Sequence, residues 1–170
     1  MAYSGKYKPK NKAKYKGDPD NIVYRSMWER HCFVWLDNNS DVATWSSEEV
    51  VIPYFYEVDK RYHRYFVDLK FTTKEGKTYI VEIKPFKETE PPKRPDKSKR
   101  YLNEAMTYVK NQNKWNAAEK YAKDNGYTFV IWTEKELTKM GILPKQTTNT
   151  AKKKIQPLKP MKPFRKKKSK

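Results

Sequence analysis

The chain has a single cysteine, Cys32, and two histidines, His31 and His63, among 170 residues. One thiol cannot close an internal disulfide, and with no zinc-ligand company it reads as a small buried hydrophobe in a reducing compartment. His31 is placed on a helix surface and His63 in a strand or turn, and neither is given a role. No apolar run reaches membrane length and no signal-peptide core is present. The opening MAYSGKYK is polar and basic, so a soluble, non-secreted protein is expected. The two ends also lack acid. Residues 1–17 hold six lysines and residues 151–170 hold ten lysines or arginines, without one Asp or Glu in either stretch. Sixteen of the net eighteen positive charges therefore sit at the ends, and the body between them is nearly neutral. A polyanionic partner met by the ends is implied. With 36% hydrophobic and 34% charged residues, part of the chain is expected to stay unpacked.

The length suits one domain with tails. A basic arm is assigned to residues 1–20, a domain to 21–143 and a disordered basic tail to 144–170. In KYKPKNKAKYK the alternation would line Lys6, Lys8, Lys10, Lys12, Lys14 and Lys16 along one side of an extended chain, about 6.6 Å apart. That spacing is close to a phosphate step in DNA. Pro9 argues against a central strand, so the segment reads as a flexible arm that orders along phosphates, or else as a solubilising lysine tail.

After GDPDN, Ser26 and Glu29 form a capping-box pattern that opens a helix through RSMWERHCFVWLD. Trp28, Cys32 and Trp35 make one stripe, and Glu29, Phe33 and Leu36 the adjacent one, so Glu29 falls within the apolar arc. Extended segments are expected over 50–56, 64–72 and 78–84, the last two joined by the turn KEGK at 74–77. Residues 86–97 read as a loop. A helix covers 98–124, with a break allowed near residues 111–113, and ends before Gly126 as its C-cap. YTFVIW, 127–132, is apolar on both faces and reads as an interior strand. Thr133 and Glu136 repeat the capping signal for a short helix to about Met140. The order is helix, three strands, helix, strand, helix: an α/β fold around a mixed sheet, with no internal repeat.

The chemistry is concentrated in YIVEIKP, 79–85. Glu82 and Lys84 share one face of this strand while Val81 and Ile83 cover the other. If the hairpin centres on Glu75, Asp68 lies opposite Glu82, where like charges are destabilising. Two carboxylates that close call for a cation, and a hard divalent ion held by one or two carboxylates, waters and a phosphate oxygen is the usual magnesium arrangement. Lys84 would reach a water or phosphate there, or it simply neutralises Glu82. Glu29 is either the capping acceptor for Ser26 or a further member of this acidic set. Arg25, Lys70, Lys87 and the loop KRPDKSKR (93–100) are candidates for phosphate contacts, each with a solvated surface as its alternative. Nothing resembles a base-reading module.

Asp68, then thirteen residues, then Glu82-Ile83-Lys84 resembles the PD(D/E)XK nuclease motif, with Val67 where the motif has Pro. SGKYKPKNKAKYKGDP, the stretch 24–29, VIPYF, RYFVD and EIKPFKETEPP are similar to the head completion nucleases of T4-like phages, related to the TnsA-type transposon endonucleases. The resemblance spans about residues 2–143 and leaves the basic tail uncovered. It implies a restriction-endonuclease-like core, a mixed sheet flanked by helices, and a phosphodiesterase using Mg²⁺ or Mn²⁺. It implies Asp68, Glu82 and the Ile83 carbonyl as metal ligands, with Glu29 completing the cluster directly or through water. Lys84 would orient the attacking water and offset charge on the phosphorane-like transition state. The implied partners are DNA and phage head and neck proteins, with no membrane and no small-molecule cofactor, in the virion and the host cytoplasm. A non-catalytic DNA-binding adaptor of the head and neck, and a junction or transposon-end nuclease, remain open alternatives.

Overall fold

The computed structural model describes residues 3–93 and 98–145. Its centre is a four-stranded sheet of β3 (Val42–Ser46), β6 (Leu69–Thr73), β7 (Thr78–Ile83) and β8 (Thr128–Trp132), in that spatial order. β6 pairs antiparallel with both β3 and β7, while β7 and β8 run parallel. A parallel neighbour needs a crossover, and α2 (Lys99–Asn125) supplies it. The mixed sheet flanked by helices is the arrangement read from the sequence.

Alternation along β7 sends its side chains into two cores. Val81 and Ile83 join Leu69, Phe71 and the Cys32, Phe33 and Leu36 stripe of α1 (Met27–Asn38). Ile80 turns the other way, toward Ile52, Tyr54 and Tyr56 of β4 (Val51–Tyr56), Tyr65 of β5 (Arg61–Phe66), and Ala118 and Ala122 of α2. The side chain of Ser26 caps α1 by accepting the Glu29 amide at 3.2 Å. Thr133 and Glu136 form the expected capping box at the start of α3 (Glu134–Lys139). Gly126 ends α2 in the left-handed region at φ 69°, its amide turned back to the Ala122 and Lys123 carbonyls.

Four details differ from the sequence reading. The extended segment 64–72 is two strands: β5 belongs to the β4–β5 hairpin and β6 to the central sheet, with the change at Val67 and Asp68. β3 is a strand that local patterning did not announce. β8 lies at the edge of the sheet, with β7 its one partner strand among the described residues. α2 runs unbroken through residues 111–113, since its stretch contains neither Pro nor Gly and it buries Asn111, Trp115, Ala118 and Ala122 along one stripe.

The largest correction concerns the N-terminal arm, whose described residues from 3 onward are folded onto the body rather than free. β1 (Gly5–Tyr7) pairs antiparallel with β2 (Ile22–Tyr24). Asp37, fully buried in the last turn of α1, accepts the Lys10 amide at 2.7 Å, the Asn11 amide at 3.2 Å and the Tyr7 hydroxyl at 3.4 Å. The Lys14 ammonium donates to the carbonyls of Leu36, Asp37 and Asn39 at 3.0, 2.9 and 2.8 Å, which occupies its three donors and satisfies the orphan acceptors of the helix end. Tyr15 is buried edge-on against Trp45, ring centroids 4.8 Å apart. Lys6, Lys8, Lys10, Lys12 and Lys16 stay exposed, and Tyr7, Pro9 and Tyr15 between them carry the packing. The tail reading for 144–170 falls, from residue 146 on, outside the described residues.

Candidate active site

The change of sheet at Val67 and Asp68 is what delivers the first acid. Val67 still pairs with the β3–β4 connection, donating to the Val50 carbonyl at 2.9 Å and accepting the Glu48 amide at 3.2 Å. Two residues later the chain enters β6, whose register with β7 (Leu69 with Val81, Thr72 with Thr78) is the one that centres on Glu75. That register sets Asp68 opposite Glu82, as the turn position predicts. Asp68 Oδ2 accepts the Ile83 amide at 2.7 Å.

Glu82 is 3% exposed, and each of its oxygens has a partner. Oε2 accepts the Tyr65 hydroxyl at 2.6 Å, and Oε1 pairs with the Lys84 ammonium at 3.1 Å. Burial pushes the Asp68 carboxyl well above the usual carboxylate range, and the charge of Glu82 adds to this; the Ile83 amide opposes the rise, Glu29 reinforces it and Lys84 counters it. For Lys84, burial works against the charged form, yet the charge and hydrogen bond of Glu82, with Asp68 behind it, raise its pKa and keep it protonated. Burial pushes the Tyr65 phenol far up and the adjacent Glu82 charge adds to it, so Tyr65 serves as a donor. Cys32 is pushed up in the same way by burial first and then by Asp68 and Glu29, which leaves it a packing thiol and no nucleophile.

The other candidate residues divide. Glu29 stands at the first turn of α1 with both oxygens engaged: Oε2 accepts the Arg25 amide at 2.7 Å and Oε1 the Ser26 hydroxyl at 2.9 Å. Its charge reaches Asp68, but among the described residues no three Asp, Glu, His or Cys side chains gather as a ligand set. Glu29 is held by the helix cap, and its charge on Asp68 is what links it to the acid pair. The Arg25 guanidinium forks onto Glu48, Nε to Oε1 at 2.9 Å and Nη2 to Oε2 at 3.1 Å, beside a backbone at φ 56°. Lys87 is exposed on the 3-10 turn Phe86–Thr89 that follows β7. Lys6, Lys8, Lys10 and Lys16 are exposed, Lys12 pairs with Asp20 at 2.7 Å, and Lys14 is taken by the helix end. Lys70 lies over the Tyr127 ring at 4.6 Å. His63 pairs with Asp59 at 2.7 Å in the β4–β5 hairpin, and residues 94–97 of the basic loop are outside the described set.

The model of the TnsA-like endonuclease N-terminal family matches residues 39–134, which include Asp68, Glu82 and Lys84. The chain belongs to the TnsA-like endonuclease family. It is therefore a PD(D/E)XK-type endonuclease with a restriction-endonuclease-like fold. The chain is also similar to the head completion nuclease of Enterobacteria phage T4, 45% identical over 146 residues that cover 83% of this chain and 97% of that protein.

Two residues close to these acids escaped the sequence reading. Tyr65 reaches Glu82 only because β5 and β6 belong to different sheets; a single strand over 64–72 gives no reason to single it out. Lys114 stands on α2 with its ammonium 5.2 Å from the Tyr65 ring. Helical periodicity sets Lys114 beside the buried Asn111 and Trp115 stripe, but which part of the sheet that stripe meets is a tertiary fact.

Proposed function

We propose that the chain is a Mg²⁺- or Mn²⁺-dependent DNA endonuclease that acts in phage head completion, hydrolysing phosphodiester bonds of packaged or protruding DNA before tail attachment. The observation that carries this reading is the pairing of Asp68 with Glu82 across one hairpin register, with Lys84 3.1 Å from Glu82. The donor set fits a hard divalent cation: two carboxylates and main-chain carbonyl oxygen, with no thiolate or imidazole in the group, and an excess of negative charge that one lysine does not cancel. Asp68, Glu82 and the Ile83 carbonyl would hold the ion. When bound it lowers the pKa of a water and withdraws charge from the phosphoryl oxygens.

The chain's own residues supply the rest. Tyr65 and Lys84 fix the two oxygens of Glu82, so its carboxylate has one orientation. Lys84 brings a protonated amine to the place where the attacking water and the developing phosphoryl charge meet. The Ile83 amide holds Asp68 on its Oδ2 and leaves Oδ1 for the ion. Glu29 acts through its charge on Asp68 while capping α1. Exposed Lys6, Lys8, Lys10, Lys16 and Lys87 contribute phosphate contacts that position the duplex without reading sequence. DNA and head or neck proteins are the partners, and the virion and host cytoplasm the setting; the name of the T4 relative supports this assignment. The test is plasmid nicking in Mg²⁺ by the native chain and by D68A and E82A, with folding followed by circular dichroism. Loss of nicking in both variants with the fold intact is expected; unchanged cleavage by both would end the reading.

A further inference from the structure

Lys114 lies on the α2 side of the sheet, the side that carries Glu82 and Lys84. Its ammonium stands over the ring of Tyr65, whose hydroxyl donates to Glu82, so one side chain separates it from a carboxylate of the site. It is half-buried, yet no described carboxylate lies within ion-pair distance of its Nζ and no described acceptor takes a hydrogen bond from it. Lys84 differs: its charge is already engaged by Glu82. A partly buried ammonium without a counter-ion is unfavourable. Burial pulls the Lys114 pKa down; the charges of Glu82 and, more weakly, Asp68 oppose this, and Lys84 and Lys110 add to the lowering. The stripe that α2 buries, Asn111, Trp115, Ala118 and Ala122, carries no charge, so the Tyr65 ring is the contact this ammonium has among the described residues.

We propose that Lys114 binds a non-bridging oxygen of the phosphate undergoing cleavage, as a second cationic residue of the endonuclease site. The assignment rests on the reading of Asp68 and Glu82 as metal ligands. Charge balance gives it content. A divalent ion offsets Asp68 and Glu82, which leaves Lys84 and Lys114 as the net positive charge facing a phosphoryl group whose negative charge grows in the transition state. Lys84 remains tied to Glu82, so Lys114 is the cation that gains its anion only when substrate arrives. Lys110, one helical turn earlier and exposed, lies over the Tyr56 ring at 5.0 Å and continues the cationic line along α2 away from the site.

The experiment uses the full chain and compares K114M, K114R and D68N. For K114M, we expect an unchanged unfolding temperature and a Mn²⁺ affinity, by calorimetry, equal to native or tighter, because a cation near two carboxylates has gone. Single-turnover cleavage at saturating DNA should fall about 100-fold, the scale of losing one preorganised donor to a developing oxyanion. K114R should recover to within about tenfold of native, since it restores the charge with a different donor geometry. Duplex affinity in metal-free buffer, read by fluorescence anisotropy, should lose close to one unit of log–log salt slope in K114M. Where Met destabilises the helix, K114Q takes its place. Cleavage by K114M within about threefold of native, while D68N is inactive, overturns the Lys114 assignment and leaves the nuclease reading standing. A K114M defect matched by an equal loss of Mn²⁺ affinity overturns it too, because Lys114 would then act on the metal site alone. Native cleavage by D68N overturns the nuclease reading, and Lys114 with it.

Discussion

Asp37 and Asp68 are both carboxylates set into the body of the protein, and their surroundings are opposite. Asp37 is fully buried and accepts two main-chain amides and a tyrosine hydroxyl. Asp68 has one amide, from Ile83, and faces Glu82 and the charge of Glu29. Donors that converge on a buried acid make it a structural fastener. A second acid close to the first makes it a place where a cation belongs. Two residues of one type are thus separated into stability and chemistry by what points at them.

The comparison breaks most sharply under substitution. D68A should reduce Mg²⁺-dependent cleavage about a thousandfold or more while the folded state survives, and an activity assay beside a thermal melt checks both. D37A should do the reverse: two amides lose their acceptor in a dry place, which costs about 3 kcal/mol and lowers the unfolding temperature by about 6–12 °C, with cleavage per folded molecule unchanged. A D37A protein that melts at the native temperature would sink the fastener reading. Y65F, which removes the hydroxyl bound to Glu82, should slow cleavage about tenfold and cost about 1 kcal/mol.

The pH dependence sharpens the Asp68 side of the comparison. The folded-state pKa of Asp68 lies above its unfolded value, so the folded chain holds a proton that the unfolded chain has released once pH passes the ordinary aspartate range. Stability from this group is fully present at low pH and is lost as pH rises through the raised pKa. In chelator, D68N should therefore be more stable than native at neutral pH, with the gap closing toward acid. An equal gap at both ends of the pH range, read by chemical denaturation, would contradict it.

Charge on the N-terminal segment gives the smallest effect. Because Tyr15 and the Lys14 cap are structural, Lys6, Lys8, Lys10 and Lys16 should be replaced by Gln instead of deleting the segment. The log–log salt slope of DNA binding should drop by about 0.9 for each phosphate that is no longer neutralised. An unchanged slope removes these lysines from the interface.

The central hairpin and its acids were legible in the sequence because their signals are local. KEGK sets the turn, a period of two sets the faces, and together they place Asp68 against Glu82 without any long-range information. Ser26, Thr133 and Gly126 announced helix ends for the same reason. What stayed hidden depends on partners distant in the chain. The Val67–Asp68 change of sheet looks like continuous strand until β3 and β4 are in place. Tyr65 and Lys114 gain meaning only when the two sheets and α2 meet. The basic arm misled because alternating lysines dominate its pattern, while Tyr7, Pro9 and Tyr15, which tie it down, need Asp37 and Trp45 to reveal their purpose.

The Lys10 amide finds its acceptor 27 residues further along the chain, and the Tyr15 ring needs Trp45. On the ribosome, the first described residues to emerge therefore have nothing to settle on until α1 and β3 have followed, seconds later at ordinary rates of synthesis. The segment around Lys10 and Tyr15 closes onto the body only after Asp37 and Trp45 have followed it. A bulky fusion next to this segment would delay its docking, and the delay would register in refolding kinetics sooner than in catalysis.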